Sequence, residues 1–517
     1  LWWNLAFEQA GFRNALVIED LPEGADPLDQ RYPTIQWTNR SGRGWSVGQV
    51  QTDPRTGEIL HAVVQLDSHR VRTVNNYWNA VPQAGSTGRD DTGLDAFAGL
   101  DNADPRLSED EVMLRRIALL TCHEVGHALG LEHNFAASTF DRGSVMDYFA
   151  PRIRIRKDGT ADLSDAYMQG VGSYDRFAIE WGYSTNPQAR SPDSEDSQER
   201  ARLQAIVLKA LHQGIFWANY DDPRWNAYDD GSDPVSWLKQ VIPVRNALLA
   251  GYGPRMLRRD EPVSALAARF ALVYLFHRYA LSSAMNVVGG AKAPPALSGD
   301  GQTPLEMWNP ASQRDALKLA LQELAPDQLE IPANLWSNLV QYDNRGLDPE
   351  SYRSSAGYVF SPYDAARSVA EAVFDPLINA QRFARLDAIH HFQPSAPSTQ
   401  EVINLLVQNI FGINASSLSV RGSASTRLSA NELSSVVQDE LADRLMDLAV
   451  DDNATPEVKA EAWAGVSSIY ARVRLSRATS RNAARANLER KIEAFIRDPK
   501  QNAPKTKPSG APAGPPI

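Results

Sequence analysis

The spacing of apolar residues changes character near residue 185. Before that point, short stretches of strand-like composition alternate with helical stretches, a mixture typical of an α+β fold. After it, apolar residues recur every three or four positions in one segment after another, which is the period of an amphipathic helix. We therefore predict an α+β domain at residues 1–185 and a large all-α domain at residues 186–498. The proline- and glycine-rich residues 499–517 lack the apolar content to build a core, and we expect them to be disordered.

Several stretches of the first domain carry local signals of their own. Residues 2–12 have the spacing of an amphipathic helix, and residues 35–50 and 59–66 have the composition of strands. Between the two predicted strands, residues 53–57 contain the proline and glycine of a tight turn. Residues 82–105, rich in glycine, aspartate and proline, read as a loop.

A strong helix signal begins at Ser108. Ser108 and Glu111 form an S-x-x-E capping box, in which each side chain satisfies a backbone N–H that has no partner within the helix. Helical spacing continues to Leu129, and Gly130 then offers the left-handed conformation that ends many helices. We predict one long helix between these limits.

Composition narrows the classes of function. A net charge of −11 over 517 residues argues against a nucleic-acid-binding protein. No stretch of 18 or more apolar residues occurs, so we expect no membrane span. The single cysteine, Cys122, rules out an internal disulfide and is expected to be an inert core residue. The chain begins at Leu1 without a methionine, and we expect a fragment or a processed product.

Residues 123–133 read HEVGHALGLEH and combine side chains that bind metal. His123 and His127 lie four residues apart on the predicted helix, so both imidazoles leave the same face one turn apart. That spacing lets two imidazole nitrogens meet one zinc ion at bond lengths of about 2.0–2.1 Å. A sharp turn at Gly130 can bring His133 back as a third ligand. Three protein ligands leave one position open for water, as catalytic zinc sites do.

Glu124 directly follows the first predicted ligand. A carboxylate in this position can accept a proton from water on the ion, so we predict that Glu124 is the general base of a hydrolysis at a carbonyl carbon. The short H-E-x-x-H pattern alone arises often enough by chance on surface helices. The full H-E-x-x-H-x-x-G-x-x-H pattern fixes five positions, and its chance occurrence in a chain of this length is on the order of one in ten thousand or less.

The extended motif resembles that of the metzincin metallopeptidases. Those enzymes carry a methionine in a tight turn below the metal, and residues 144–148, SVMDY, stand at a suitable distance downstream. The resemblance implies that Met146 is this Met-turn residue. It also implies that the phenol of Tyr148 ligates zinc at rest and then stabilises the oxyanion. The alternative for Tyr148 is an ordinary packed tyrosine.

Together with residues 174–183, YDRFAIEWGY, these blocks look like a large bacterial family of predicted zinc-dependent metalloproteases with a helical domain after the catalytic part. The resemblance implies that residues 1–185 form the catalytic domain. It also implies that residues 59–66 are the edge strand along which an extended polypeptide substrate binds. Export to the periplasm or beyond is a further expectation from the family. Asn134, after the third histidine, matches none of the astacin, serralysin or adamalysin branches, so their substrate preferences do not transfer.

We therefore predict a zinc-dependent endopeptidase with Zn²⁺ as its cofactor. Two rival functions stay open at this point. A catalytically silent envelope protein would use the metal, or only the helical domain, for binding, but the presence of Glu124 argues against it because a structural zinc needs no base. A zinc amidase would apply the same chemistry to peptidoglycan, and substrate trials separate it from a peptidase.

Overall fold

The computed structural model describes residues 1–40, 44–81, 107–185, 192–341, 351–352, 354–412, 430–477 and 483–504. The predicted loop at residues 82–105 and most of the predicted tail lie outside these ranges. Helices dominate the described residues, and three small sheets accompany them. None of the described helices combines the length and the apolar character needed to cross a membrane.

The N-terminal part contains a helix and the largest sheet. Helix α1 (Trp3–Gln9) is followed by strands β1 (Thr34–Thr38), β2 (Val47–Thr52) and β3 (Ile59–Asp67). The strand order is β1-β3-β2, with β1 parallel and β2 antiparallel to β3. Two strands therefore replace the single strand that we predicted at residues 35–50.

The expectation that residues 59–66 form an edge strand is wrong. Strand β3 is central, because Val63, Val64 and Gln65 have a partner residue on both neighbouring strands. The physical reason lies in its composition. A run of apolar and β-branched residues is what a buried central strand needs, whereas β2, with the sequence VGQVQT, is more polar and lies at the edge.

Two helices follow the sheet. Helix α2 (His69–Ala80) was not anticipated, because its sequence is largely polar even though it buries residues such as Arg70 and Asn79. Helix α3 (Glu109–Ala128) begins at the predicted capping box, where Ser108 Oγ accepts from the Glu111 N–H at 3.2 Å. The sheet lies against α3, where Val64 and Leu66 contact Leu120 in a small apolar cluster.

Short elements connect α3 to the helical region. A 3-10 turn spans Ala137–Phe140, and strands β4 (Arg154–Ile155) and β5 (Ala161–Asp162) form a two-stranded sheet. Helix α4 (Ser173–Tyr183) covers the YDRFAIEWGY segment and packs on α1, where Tyr183 contacts Phe7 edge to face at 5.0 Å.

The remaining described residues are mainly helical, as the spacing predicts. A two-stranded sheet, β6 (Ala291–Lys292) and β7 (Glu306–Met307), interrupts them. The helices are α5 (Pro192–His212), α6 (Pro234–Gly251), α7 (Ser264–Tyr274), α8 (Arg278–Val287), α9 (Pro310–Glu323), α10 (Pro326–Leu329), α11 (Ala333–Trp336), α12 (Pro362–Leu377), α13 (Ala380–Phe392), α14 (Thr399–Gly412), α15 (Ala430–Val450), α16 (Pro456–Arg477), α17 (Ala483–Arg497) and α18 (Pro499–Asn502).

One apolar core connects both parts of the chain. It runs through contacting buried residues from Trp3 to Phe495 and includes Met146 and Leu238. The division into domains at residue 185 stays a prediction. At the C-terminus, Pro499–Asn502 forms a helical turn capped by Asp498, which corrects the expectation of disorder for those four residues.

Candidate metal centre

Three imidazoles converge at the C-terminal end of α3. His127 Nε2 lies 3.1 Å from His123 Nε2 and 3.2 Å from His133 Nε2. Two nitrogen ligands of a tetrahedral ion with bonds of about 2.0–2.1 Å stand about 3.3–3.4 Å apart, so these separations suit one zinc ion. The three residues are also the one cluster of at least three potential metal ligands among the described histidines, cysteines and carboxylates.

The turn after α3 delivers the third imidazole. Gly130 adopts a φ of 85°, a left-handed conformation that glycine reaches without strain. Leu131 then donates its N–H to the Gly126 carbonyl at 3.0 Å, which closes the end of the helix. The chain reverses there and brings His133 to the same point as His127.

Backbone carbonyls orient two of the imidazoles. His123 Nδ1 lies 2.6 Å from the Val145 carbonyl oxygen, and His127 Nδ1 lies 2.8 Å from that of Leu131. With Nδ1 as the donor, each Nε2 keeps its lone pair for a metal. Burial also lowers the pKa of all three imidazoles, to about 4 for His133, which favours the neutral form that binds metal.

The predicted Met-turn packs against α3 between the first two histidines. Met146 is fully buried, and a Cβ on Gly126 would stand 2.3 Å from its sulfur. Asp175 on α4 holds the turn, because its carboxylate accepts from Ser144 Oγ at 2.6 Å and from the Val145 N–H at 2.8 Å. Burial raises the pKa of Asp175 to about 6 despite these hydrogen bonds.

Glu124 follows His123 on α3 and is buried, with 4% of its surface exposed. Burial raises the pKa of its carboxyl to about 7, while nearby Arg70 and Arg116 and a hydrogen bond from the Gly48 N–H act in the opposite direction. Gly48 belongs to β2 and sits so close to α3 that a Cβ there would stand 2.0 Å from the Glu124 carbonyl oxygen. Edge strand β2 therefore runs along the metal centre.

The Tyr148 ring lies against two of the imidazoles. Its centroid is 4.5 Å from that of His133 and 5.3 Å from that of His123. Burial raises the pKa of Tyr148 to about 12, so the phenol is protonated at neutral pH. The structure thus brings all the predicted site residues, Met146 included, to one place.

Sequence reasoning missed a further wall of the site. Residues 215–230, here called the downstream wall, lie between α5 and α6 and contact the His133 backbone and the neighbouring Phe135. Trp217 Nε1 donates to the His133 carbonyl at 3.2 Å, and Phe135 stacks on the His133 ring at 4.8 Å. Trp225 meets Phe135 edge to face at 4.7 Å.

The same wall holds the Met-turn segment. Tyr228 donates its N–H to the Tyr148 carbonyl at 2.7 Å. Its φ of 70° lies in the left-handed region that a tyrosine rarely adopts, which marks a constrained backbone at this contact. The aromatic density of residues 216–228, FWANYDDPRWNAY, was the signal in the sequence that could have revealed the wall.

Histidines presented in this way above a buried methionine turn define the metzincin class of metal site. The model of the family DUF4953, described as Met-zincin, matches residues 106–416, more than half of the 517 residues, and the chain belongs to this family. The matched range includes the downstream wall. Neither a curated protein nor a solved structure matches the chain.

Proposed function

We propose that this protein is a zinc-dependent endopeptidase, with the ion held by His123, His127 and His133 and with Glu124 as the general base. The observation that carries the proposal is the convergence of three Nε2 atoms, with that of His127 3.1 Å from His123 and 3.2 Å from His133, on a helix that also carries the buried Glu124. The family to which the chain belongs supports the same class of reaction.

A zinc ion in this site would supply Lewis acidity for a water molecule and for the carbonyl oxygen of the substrate. The carboxyl of Glu124, with its pKa raised to about 7, can accept a proton from water and return it to the leaving nitrogen near neutral pH. The N–H of Gly48 orients that carboxyl through a hydrogen bond.

Tyr148 is the proposed stabiliser of the oxyanion. Its phenol remains protonated at neutral pH because burial raises its pKa to about 12. A phenol beside His133 can therefore donate a hydrogen bond to negative charge that develops on the carbonyl oxygen. The N–H of Tyr228 fixes the Tyr148 backbone for this task.

We assign the binding of an extended polypeptide to β2 rather than to residues 59–66. Strand β2 pairs with β3 on one side, and no described strand pairs with its other side. An edge strand offers backbone N–H and carbonyl groups to which a substrate strand can add. Because Gly48 lies on this strand and contacts Glu124, such a substrate would pass directly beside the general base.

The test is cleavage of unfolded casein and of a peptide library with zinc-loaded protein, with chelated protein and after zinc is restored. We expect cleavage that the chelator abolishes and zinc restores, and none with Glu124→Ala. Cleavage that resists chelation, or an active Glu124→Ala variant, would contradict the mechanism. Peptidoglycan fragments form a parallel arm, and hydrolysis of these fragments alone would identify an amidase instead.

We further propose, on the family resemblance, that the protein acts in the periplasm or outside the cell. Fractionation of producing bacteria, with immunodetection of the chain, tests this proposal. Detection in the cytoplasm alone would contradict it.

A further inference from the structure

A small cavity lies beside the proposed catalytic groups, between helices α2 and α3 and the segment that follows Tyr148. It has a volume of about 20 Å³, which holds one water-sized group. A larger recess of about 680 Å³ shares Tyr77, Ala150 and Pro151 with it. The lining of this recess includes the exposed Arg154 and also Asp230 and Asp233. The two cavities are thus neighbours that meet at the segment after Tyr148.

Two arginines belong to the lining of the inner cavity. Arg70 and Arg116 line it and are buried, with 2% and 7% of their surfaces exposed. Two tyrosines, Tyr167 and Tyr228, complete its polar part, and burial raises the pKa of both phenols, so they remain neutral. No aspartate or glutamate occurs among the described lining residues.

Arg116 lies against one of the tyrosines of the lining. Its guanidinium is 5.6 Å from the centroid of the Tyr167 ring, a cation–π contact. The carboxyl of Glu124 is near enough for its charge to oppose the lowering of the Arg116 pKa by burial. An anion that enters the cavity would meet the same buried guanidinium and gain a charge-assisted interaction with it.

The cavity also adjoins the reaction centre. Phe149, Ala150 and Pro151, which line it, directly follow Tyr148 in the chain. Tyr228, another lining residue, donates its N–H to the Tyr148 carbonyl and places its ring 5.9 Å from that of Tyr148. A group bound in the cavity would therefore lie close to Tyr148.

We propose that Arg116, together with Arg70, binds an acidic side chain of the polypeptide substrate, so that the enzyme selects Asp or Glu near the cleaved bond. One carboxylate oxygen fits the inner cavity, and the wider recess accommodates the rest of the residue. The inference rests on the proposed function only in taking the ligand to be a substrate. The alternative is a purely structural role, in which the two arginines support the packing of α2 on α3.

Peptide binding to the metal-free protein distinguishes these two roles, because no peptide is expected to be cleaved during the measurement. A set of ten-residue peptides, otherwise neutral, carries one Glu at a different position in each peptide. Fluorescence anisotropy measures the affinity of each peptide and of its counterpart with Gln at the same position. We expect at least one position at which the Glu peptide binds about tenfold or more tightly, as a charge-assisted contact with a buried guanidinium implies. Arg116→Met should reduce this ratio to near one, and Arg116→Lys should retain part of it.

Arg115→Met is the matched control. Arg115 is the neighbouring residue on α3, but it donates to the Ser164 carbonyl at 2.8 Å and does not line the cavity. We expect this variant to keep the full Glu-to-Gln ratio. If Arg116→Met does not fold, as judged by its thermal unfolding, Arg70→Met provides the same test. The binding measurements use sodium gluconate as the salt. A third set repeats them in sodium chloride at the same ionic strength, to test whether a free inorganic anion occupies the cavity.

The outcomes distinguish this inference from the proposed function. A Glu-to-Gln ratio near one at every position, an unchanged ratio in Arg116→Met, or an equal loss for both peptides would overturn the inference while leaving peptidase activity possible. A Glu-to-Gln ratio that falls to near one in chloride, but not in gluconate, would identify a site for free inorganic anions. That result would also overturn the inference. A strong preference in binding without any peptide cleavage would contradict the proposed function alone.

Discussion

The metal centre and the downstream wall meet at His133, yet they are built in different ways. Residues 123–133 position three imidazoles by local rules, namely the helical period and the left-handed turn at Gly130. The downstream wall, residues 215–230, reaches the same histidine from more than 80 positions along the chain, through Trp217 on the His133 carbonyl and through Trp225 on Phe135. The chemical groups of this site are thus positioned by local sequence, whereas their support depends on long-range packing.

The largest expected effect concerns the local chemistry. Glu124→Gln preserves the shape of the side chain but removes the proton acceptor, so kcat should fall by about 10²–10⁴-fold. Zinc content should stay at the wild-type level, because the three imidazoles are untouched. Peptide hydrolysis and elemental analysis on the same preparations check both statements. Loss of zinc together with activity would show that Glu124 supports the metal instead.

The next effect concerns the support of the Met-turn. Asp175→Ala removes the acceptor for Ser144 Oγ and for the N–H groups of Val145 and Gly172, which leaves buried polar groups without partners. The free energy of unfolding should fall by about 3 kcal/mol. Denaturant unfolding measures it, and a change below about 0.5 kcal/mol, the usual size of a surface substitution, would contradict the assigned role.

The same carboxyl predicts a pH dependence. Its pKa in the folded protein is about 6, above the usual 3.8 of an aspartate, so the folded state holds the Asp175 proton more tightly than the unfolded state. Stability contributed by this group is therefore lost as pH rises through about 6. Between pH 5 and pH 7 the advantage of wild type over Asp175→Ala should shrink by about 1 kcal/mol. An advantage that grows with pH would contradict the assignment.

A smaller effect is expected in the downstream wall. Trp225→Ala removes the ring that backs Phe135 and, through it, His133. Because Trp225 is half-buried, we expect a loss of about 2 kcal/mol in the free energy of unfolding, less than for a fully buried tryptophan. Tyr220→Ala is the matched control, since Tyr220 also contacts Trp225 but is 76% exposed. Equal effects of the two substitutions would argue against a supporting role for the wall.

The smallest effect tests a single hydrogen bond. Trp217→Phe keeps the aromatic packing but removes the donor to the His133 carbonyl. One such bond contributes about 0.5–1.5 kcal/mol, so zinc affinity should weaken by no more than about tenfold. Competition with a chromophoric chelator measures that affinity, and a complete loss of zinc would place the wall among the determinants of metal binding.

The sequence predicted the elements that follow local rules. Helix α3 begins at its capping box and ends before Gly130, and the histidines meet as their spacing requires. Helix α2 escaped prediction because its polar sequence becomes buried only through packing on the rest of the fold. The edge strand was misassigned to residues 59–66, because apolar composition marks a buried strand rather than an accessible one.

The cationic cavity could not be predicted either. Arg70 follows β3 and Arg116 lies on α3, and nothing in their separation of 46 positions indicates that they line one space. Such a site depends on how α2 packs against α3, which a single sequence does not reveal. The motif therefore indicates the reaction, while the tertiary structure supplies the hypothesis about its substrate.

The most direct test of the account is the zinc content of extensively dialysed protein, measured by elemental analysis for wild type and for His127→Ala. The account predicts about one zinc per chain in wild type and almost none in the variant, because His127 Nε2 lies between the other two imidazoles. Wild-type protein that retains no transition metal, or a variant that retains a full equivalent, would contradict it.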